Sequence, residues 1–230
     1  GVTMTPPVHS LDARYYTDPQ VFIAEQTGLF ARSWQFACHL SELPSAGCYT
    51  SFEIGSEALF AVRGRDLRVR VFYNVCQHRA HQLVSGAGRS PAITCPYHAW
   101  SYDFDGALRA APNLDVVAGA DKSQICLTEV RCEELLGFLF VNLDVDAAPM
   151  DNWFTGVRAE LEEWVPNWAD LKPLEWVEIP EQCNWKVSVE NYSECYHCAL
   201  NHLTFSNGVV KPETYDIQPQ GKCLRHTTEC

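Results

Sequence analysis

The sequence predicts an α+β protein, with a small antiparallel β domain followed by a segment of helical periodicity. Three strand-like runs follow one another after residue 47, and residues 64–66 turn between the last two. Asp105-Gly106, further along, is a strong hairpin signal. Beyond a linker at residues 144–151, apolar residues recur at helical spacing. The chain therefore divides into predicted domains at residues 1–39, 40–148 and 149–230.

The individual elements follow from local patterns. Asp18-Pro19 begins the first helix, because a capping side chain precedes a proline whose missing N–H does no harm there. In the third strand, alternation places Val71 on the inward face and Phe72 on the outward face. The predicted helices cover residues 19–33, 151–165 and 184–199. The predicted strands cover residues 48–54, 58–63, 67–74, 100–104, 137–143 and 176–179.

Composition excludes several classes of function. A net charge of −12 argues against a nucleic-acid partner, which needs a basic surface. The sequence contains no apolar stretch long enough to span a membrane, and its start does not resemble a signal peptide. The eleven cysteines are an odd number in a chain of 230 residues. They are expected to be mostly reduced, in a cytoplasmic protein, with a few of them binding metal.

Residues 76–98 carry the first candidate metal site. Cys76-Gln77-His78 and Cys95-Pro96-Tyr97-His98 each offer one thiolate and one imidazole, with sixteen residues between the two motifs. Two sulfur and two nitrogen ligands suit either a tetrahedral zinc ion or an iron–sulfur cluster in which histidines replace two cysteines. The ligand types alone leave both open.

Residues 191–202 carry the second candidate site. Glu194 and His197 are three residues apart and share a helix face. His197 and His202 are five residues apart, so they can bind one ion only if the helix ends between them, and Asn201 is a plausible place for that end. Two histidines with a carboxylate and open positions suit a non-haem Fe(II) ion that reacts with oxygen.

Together the two motifs resemble those of the Rieske non-haem iron oxygenase α subunits. Residues 76–100 resemble the Rieske cluster motif, and residues 191–202 resemble the mononuclear-iron motif, in the same order and at similar spacing. The resemblance covers residues 15–205. It implies a Rieske domain at 40–148, followed by the N-terminal part of a helix-grip catalytic domain of the Bet v1 type. Residues 1–39 would be a helical segment that packs on the catalytic domain.

The resemblance also implies the ligands and cofactors. Cys76 and Cys95 would hold one iron of a [2Fe–2S] cluster, and His78 and His98 the other. His197 and His202 would be two ligands of a catalytic Fe(II) ion.

Three departures from the family pattern matter. Ala80 replaces a glycine, which would cost about 1 kcal/mol if the loop needs a positive φ there. Glu194 replaces an aspartate that, in this family, bridges His98 of one subunit and His197 of its neighbour in a homotrimer. A glutamate there resembles the branch that oxidises quaternary ammonium compounds: carnitine, glycine betaine and proline betaine. Asn191 joins the catalytic candidates, and Tyr192 is a candidate cation–π partner for substrate, with core packing as its alternative.

The third departure concerns the carboxylate ligand, which in this family follows the histidines by more than a hundred residues. Asp216 is too close to His202 to fill that role. The chain is therefore expected to be the N-terminal portion of a longer protein and not to sustain turnover alone.

The resemblance implies a terminal oxygenase that uses O2 and electrons from an NAD(P)H-dependent flavin and iron–sulfur reductase. It would hydroxylate a C–H bond of a quaternary ammonium compound, leading to N-demethylation or C–N cleavage. The alternatives are an aromatic-ring-hydroxylating dioxygenase, a Rieske electron-transfer protein without catalysis and a zinc-stapled interaction module.

Overall fold

The structure, a computed structural model, describes residues 9–194 and 197–230. Its helices are α1 (Arg14–Thr17), α2 (Pro19–Gly28), α3 (Val157–Trp164), α4 (Trp185–Tyr192), α5 (Cys198–Asn201) and α6 (Leu203–Gly208). Its first six strands are β1 (Gln35–His39), β2 (Cys48–Ile54), β3 (Glu57–Arg63), β4 (Val69–Tyr73), β5 (Ala87–Arg89) and β6 (Ile93–Thr94). The others are β7 (Ser101–Tyr102), β8 (Leu108–Ala110), β9 (Glu129–Leu135), β10 (Phe138–Asn142), β11 (Asp216–Gln220) and β12 (Cys223–Thr227).

The chain forms two compact units. The β unit comprises Gln26–Asn152 and Gly156–Trp176. The helical unit comprises the described parts of Gly1–Glu25, Trp153–Thr155 and Val177–Cys230. Among the residues that the structure describes, no helix is long and apolar enough to cross a membrane.

The β unit is built on a seven-stranded antiparallel sheet in the order β1-β10-β9-β4-β3-β2-β5. A second sheet contains β6, β7 and β8. The predicted strands at 48–54, 58–63, 67–74 and 137–143 are confirmed as β2, β3, β4 and β10 within a residue or two at each end. The turn at 64–66 and the hairpin turn at Gly106, where φ is 90°, are also confirmed.

Strand β4 is buried on both faces, which corrects the predicted alternation. Val71 packs in one apolar cluster with Leu59 and Val141. Phe72 packs in a second cluster, with Phe60 and the two cysteines of the first candidate site. Because β4 lies between β3 and β9 with a core on each side, Phe72 is buried although its position in the pattern predicted exposure.

The helical unit contains α4, α5, α6 and the antiparallel hairpin β11–β12. Asn184 caps α4, since its side chain accepts a hydrogen bond from the Lys186 N–H. Several polar contacts join α4 to the N-terminal segment. The Lys186 ammonium forms an ion pair with Glu25, and the Tyr16 hydroxyl donates to Glu190 over 2.5 Å.

Several predicted elements are wrong in extent. The helix expected over 19–33 is α2 followed by a separate 3-10 turn at Phe30–Arg32, although the Asp18 side chain caps it as predicted. The helix expected from 151 begins instead at Val157, because Gly156 adopts a left-handed φ of 81° that interrupts any continuous helix. Residues 176–179, within the described part of the chain, form no strand; three of their apolar side chains are exposed and face no partner strand.

The helix expected over 184–199 is in fact two helices. α4 ends at Tyr192 with Ser193 as its C-cap, and α5 begins at Cys198. Ser and Asn side chains compete for backbone hydrogen bonds, so the sequence around residue 193 holds a helix weakly. Cys198 is disulfide-bonded, an exception to the expected reduced state.

Candidate metal centres

The two ligand loops of the β unit have the same backbone hydrogen bonds. In the first, the Ala80 N–H donates to the Cys76 carbonyl, and the Cys76 N–H donates to the His81 carbonyl. In the second, the Ala99 N–H donates to the Cys95 carbonyl, and the Cys95 N–H donates to the Trp100 carbonyl. Each cysteine thus starts an equivalent turn, although its histidine follows two residues later in one loop and three in the other.

Each turn places an alanine in the left-handed region. Ala80 has a φ of 52° and Ala99 a φ of 59°. Ala80 therefore has the positive φ on which the expected strain depends. The same strain is expected at Ala99. Ala99 was not predicted as a strained position, although it follows its cysteine by four residues, as Ala80 does.

The four candidate ligands divide into a buried pair and an exposed pair. Cys76 and Cys95 are each 2% exposed and are free thiols. His78 and His98 are exposed, and their ring centroids lie 4.7 Å apart. Trp100 stacks on His78 with an angle of 10° between the rings, which fixes the orientation of that imidazole. This arrangement suits a cluster whose inner iron is bound by sulfur and whose outer iron is bound by nitrogen.

Electrostatics favour the metal-binding form of His98. Desolvation lowers the pKa of His98, and the neighbouring His78, Arg79 and His81 lower it further. A lowered pKa keeps the imidazole neutral, and the neutral imidazole is the form that binds a metal ion.

Tyr102 is a site residue that the sequence analysis did not identify. It is fully buried on β7, and its hydroxyl oxygen lies 3.3 Å from the Cys76 sulfur. The same oxygen accepts a hydrogen bond from the Gln77 N–H over 3.0 Å. Its own proton is therefore free to point at the sulfur. Burial raises the pKa of Tyr102, and the hydrogen bond with Cys76 raises it further, so the phenol keeps that proton.

Asn74 anchors the segment that follows the first ligand loop. Its buried side-chain oxygen accepts from the N–H groups of Leu83 and Val84, over 3.0 and 3.1 Å. Its side-chain nitrogen donates to the Val84 carbonyl over 2.8 Å. The Asn74 side chain thus connects the end of β4 to residues 83 and 84. An asparagine at a strand end is a weak signal, and the sequence analysis missed it.

The donor geometry distinguishes two kinds of metal group. Within residues 9–194 and 197–230, no three His, Cys, Asp or Glu side chains are grouped so that they could hold one metal ion. A structural zinc ion needs four ligands around one centre. A [2Fe–2S] cluster of this ligand type needs only a pair on each iron. The buried thiols and the exposed imidazoles therefore fit the two-iron cluster better than zinc.

The second candidate site lies in the helical unit, where the helix break brings two imidazoles together. His202 lies between α5 and α6 with non-helical backbone angles (φ −116°, ψ 57°). The ring centroids of His197 and His202 are 5.1 Å apart. The expected helix end at Asn201 is confirmed, since α5 ends at that residue.

Glu194 contacts one of these imidazoles directly. Its carboxylate lies 2.5 Å from Nδ1 of His197. A carboxylate on Nδ1 leaves Nε2 as the nitrogen that can bind a metal ion, and it fixes the ring orientation. The Glu194 side chain is also 45% exposed, so part of it is accessible to another group.

The remaining candidates lie close by. Tyr192 is 81% exposed, so the alternative that it packs in a core is wrong for this chain. Its ring centroid lies 5.9 Å from that of His226. His226 in turn makes a 2.6 Å hydrogen bond with the Tyr215 hydroxyl. Asn191 is exposed on α4. Neither Tyr215 nor His226 was predicted as a site residue from the sequence.

Two family models match the segments that contain the candidate sites. Residues 33–121 match the Rieske [2Fe-2S] domain family, and residues 168–225 match the catalytic domain of ring-hydroxylating α subunits. The fold and the matched segments thus define an oxygenase α subunit. The chain belongs to the Rieske oxygenase α subunits, with a Rieske domain followed by part of the catalytic domain, and the predicted fold class is confirmed.

Two relatives match most of this chain. The carnitine monooxygenase oxygenase subunit of Escherichia coli (strain K12) is 44% identical over 201 residues, which are 87% of this chain and 54% of that protein. The 2-aminobenzenesulfonate 2,3-dioxygenase α subunit of Alcaligenes sp is 34% identical over 211 residues, 90% of this chain and 53% of that protein.

A solved structure also matches most of this chain. The quaternary ammonium Rieske monooxygenase CntA, in complex with L-carnitine, matches with a TM-score of 0.87 and 36% identity, covering 94% of this chain and 61% of that one. The chain thus spans about half the length of the relatives it matches.

Proposed function

We propose that the protein is the terminal oxygenase of a system that hydroxylates quaternary ammonium compounds. In the overall reaction, a C–H bond beside the quaternary nitrogen, O2, two electrons and two protons give a C–OH group and water. The resulting carbinol is unstable, so the products are those of N-demethylation or C–N cleavage. The chemical class of substrate is inferred from the carnitine monooxygenase relative and from Glu194.

The observation that carries the proposal is the pairing of His197 and His202 with a carboxylate behind one of them. Their rings lie 5.1 Å apart, and Glu194 fixes Nδ1 of His197. We assign both histidines as ligands of a mononuclear Fe(II), which supplies oxygen activation when it is bound. The third, carboxylate ligand stays a prediction, because the described residues group no such triad.

The β unit would receive the electrons. Cys76 and Cys95 would hold the inner iron, and His78 and His98 the outer iron. The two imidazoles are exposed at the surface, where a reductase that oxidises NAD(P)H can approach them. We also propose that the protein is cytoplasmic and that its domains divide at residues 39 and 148.

Glu194 would join the two metal centres across a subunit interface. Its contact with Nδ1 of His197 supports one half of the bridge. The other half would be a contact with His98 of a neighbouring subunit, in a homotrimer. Asn191 lies in the last turn of α4, three residues before Glu194, and we keep it as a candidate catalytic residue.

Substrate recognition would use the aromatic rings beside the second site. Tyr192 presents an exposed ring, and His226 and Tyr215 lie next to it. Aromatic faces attract a trimethylammonium group through cation–π interaction.

Product assays with the full-length protein and a reductase test the proposal. We expect O2 consumption coupled to oxidation of L-carnitine or a betaine, with no turnover of simple aromatic compounds. His202→Asn should abolish turnover and leave the visible and EPR spectra of the cluster intact. The control variant, His9→Asn, should change neither turnover nor the spectra. Turnover of aromatic compounds alone, or a colourless and EPR-silent sample that contains zinc, would refute the proposal.

Aromatic-ring dihydroxylation is the second candidate, because the Alcaligenes relative is a dioxygenase α subunit. We rank this function second, because the dioxygenase relative is 34% identical to this chain and the carnitine monooxygenase relative is 44% identical. An electron-transfer protein without catalysis would not need the second histidine pair at all.

A further inference from the structure

The N-terminal segment contacts one face of α4, the helix that leads to the second candidate site. α4 ends at Tyr192, and Glu194 follows it by two residues. Lys186 and Glu190 are four residues apart on α4, so they share a helix face. Both contact residues of the N-terminal segment within the helical unit. The position of α4, and with it the position of Glu194, therefore depends on this face.

Glu25 binds the first turn of α4 with both of its carboxylate oxygens. One oxygen accepts a hydrogen bond from the Trp185 indole N–H over 2.8 Å, and the other forms an ion pair with the Lys186 ammonium. The Lys186 and Glu25 side chains are 9% and 15% exposed. The Lys186 ammonium holds the pKa of Glu25 below its usual value, and the Trp185 N–H lowers it further. Glu25 therefore stays ionised at neutral pH and holds two adjacent residues of α4.

Tyr16 binds α4 at its N-cap and again in its last turn. The Tyr16 carbonyl accepts a hydrogen bond over 3.2 Å from the side-chain amide of Asn184, the residue that caps the helix. The Tyr16 hydroxyl donates to the Glu190 carboxylate over 2.5 Å. This carboxylate raises the pKa of Tyr16, so the phenol keeps the proton that it donates. One residue of the N-terminal segment thus spans the length of α4.

These contacts fix the orientation of α4 more than they add stability. No residue of α2 is buried, so α2 has no apolar face that could fix its position by packing. Desolvation of two charges offsets most of the attraction in a buried ion pair, whereas charge-assisted hydrogen bonds are directional. Tyr192 lies two residues after Glu190, on the opposite side of α4, and is 81% exposed. The contacts thus hold one side of α4 and leave the other side open.

We propose that Lys186 and Tyr16 are positioning residues of the second candidate site. Their contacts hold α4 so that Glu194 meets Nδ1 of His197, 2.5 Å away. An imidazole oriented in this way offers Nε2 to a metal ion, so the affinity of His197 and His202 for a metal ion depends on the contacts of α4. The inference rests on the proposed function, which assigns both histidines to one metal ion.

Titration of the full-length protein with Co(II), after removal of the mononuclear iron, tests the proposal. The visible absorption of bound Co(II) reports its affinity, and the part of the signal that is lost in His202→Asn identifies the site. Lys186→Met keeps the aliphatic stem and removes the charge. Tyr16→Phe removes one hydroxyl and leaves no buried charge unpaired, because Glu190 is exposed. We expect Co(II) binding to weaken about tenfold in Lys186→Met and about threefold in Tyr16→Phe, since a displaced partner of a ligand histidine lowers metal affinity.

Lys211→Met is the matched control, because it breaks an exposed ion pair with Glu229 in the same unit, and it should bind Co(II) as the original protein does. A contact that only stabilises the fold lowers the free energy of unfolding in urea but leaves the dissociation constant of the folded protein unchanged. Full Co(II) affinity in Tyr16→Phe, or an equal loss in Lys211→Met, would overturn the proposal, even if Lys186→Met did not fold.

The titration involves no turnover, so its outcome is independent of the substrate. A full-length protein that binds Co(II) at this site but does not oxidise L-carnitine or a betaine would refute the proposed function and leave the positioning role standing. A protein that oxidises L-carnitine and keeps full Co(II) affinity in both variants would refute the positioning role alone.

Discussion

Two alanines hold the ligand loops in a backbone conformation that glycine adopts at lower cost. Ala80 and Ala99 both have a positive φ, and each donates its N–H to the cysteine that starts its turn. The left-handed region costs an L-residue about 1–2 kcal/mol. The hydrogen bonds of the turn, and the cluster once it is bound, offset that strain.

Ala80→Gly should therefore stabilise the protein slightly. The relief of strain exceeds the extra entropy of glycine in the unfolded chain, about 0.5–1 kcal/mol, by a net amount on the order of 0.5 kcal/mol. The free energy of unfolding from a urea titration measures it. Ala87→Gly is the control, because Ala87 lies in β5 without a positive φ, and it should lose about 0.5–1 kcal/mol. A loss of stability in Ala80→Gly would contradict the strain.

Tyr102 is expected to set the reduction potential of the cluster. A hydrogen bond to the Cys76 sulfur favours the reduced cluster, which carries more negative charge. Tyr102→Phe removes that donor, so the potential should fall by about 60 mV, the equivalent of about 1.4 kcal/mol for one electron. Redox titration followed by EPR measures the change. Tyr73→Phe is the matched control, because Tyr73 packs on the other core cluster of the β unit and its hydroxyl makes no hydrogen bond to a described residue. An unchanged potential in Tyr102→Phe would show that the phenol does not donate to the sulfur.

Among the elements, the strands were easier to predict than the helices. β2, β3 and β4 have alternating or continuous apolar runs bounded by turn residues, and they appear close to where the sequence predicted them. The break between α4 and α5 was not predicted, because the helix end expected from the sequence lies between His197 and His202, where α5 ends at Asn201. Local propensity at Ser193 does not specify a helix end, so the pattern alone predicted one continuous helix.

The supporting residues of the first site could not be predicted for a related reason. Tyr102 and Asn74 act through distances of 26 and 10 residues along the chain. Such contacts depend on how β7 and the end of β4 come together, which periodicity does not report. The candidate ligands could be proposed from the sequence because metal chemistry limits their types and spacing.

Asn74 should be the residue on which the first ligand loop most depends for its position. Asn74→Ala leaves two N–H groups and one carbonyl without their side-chain partner, a cost of about 2–3 kcal/mol. We expect a lower free energy of unfolding and faster loss of iron from the cluster, followed by absorbance at elevated temperature.

Asn74→Asp separates the two halves of that contact. It keeps the oxygen that accepts from both N–H groups but replaces the donor by a buried carboxylate oxygen that faces the Val84 carbonyl, so its loss at neutral pH should be at least as large as that of Asn74→Ala. Asn207→Ala, an exposed position in α6, serves as the control and should leave the cluster unchanged. If Asn74→Ala retained its cluster as firmly as the control, the anchoring role would be refuted.

At the scale of the whole molecule, the two metal sites belong to different compact units. The Rieske ligands lie in the β unit, and His197 and His202 lie in the helical unit. In the proposed function the second site receives its electrons from the first, so that function depends on a group that links them. Glu194 has the chemistry for this role, because it contacts His197 and its side chain is partly exposed.

Glu194→Gln is therefore expected to separate electron transfer from cluster assembly. The amide keeps the size of the side chain but loses the charge that pairs with imidazole nitrogens. The visible and EPR spectra of the cluster should be unchanged. The rate of single turnover, measured by rapid mixing of the reduced full-length protein with O2 and L-carnitine, should fall about tenfold or more, as is typical when a partner of a ligand histidine is lost.

Two controls distinguish a bridge from a general defect. Glu213→Gln removes an exposed carboxylate of the same unit and should turn over as the original protein does. Iron content measured in Glu194→Gln shows whether His197 and His202 still hold the mononuclear ion. A slow rate with full iron supports electron transfer through Glu194, because both centres are then present and only their connection has changed. A normal rate with full iron would remove Glu194 from the electron path and leave it as an orienting partner of His197.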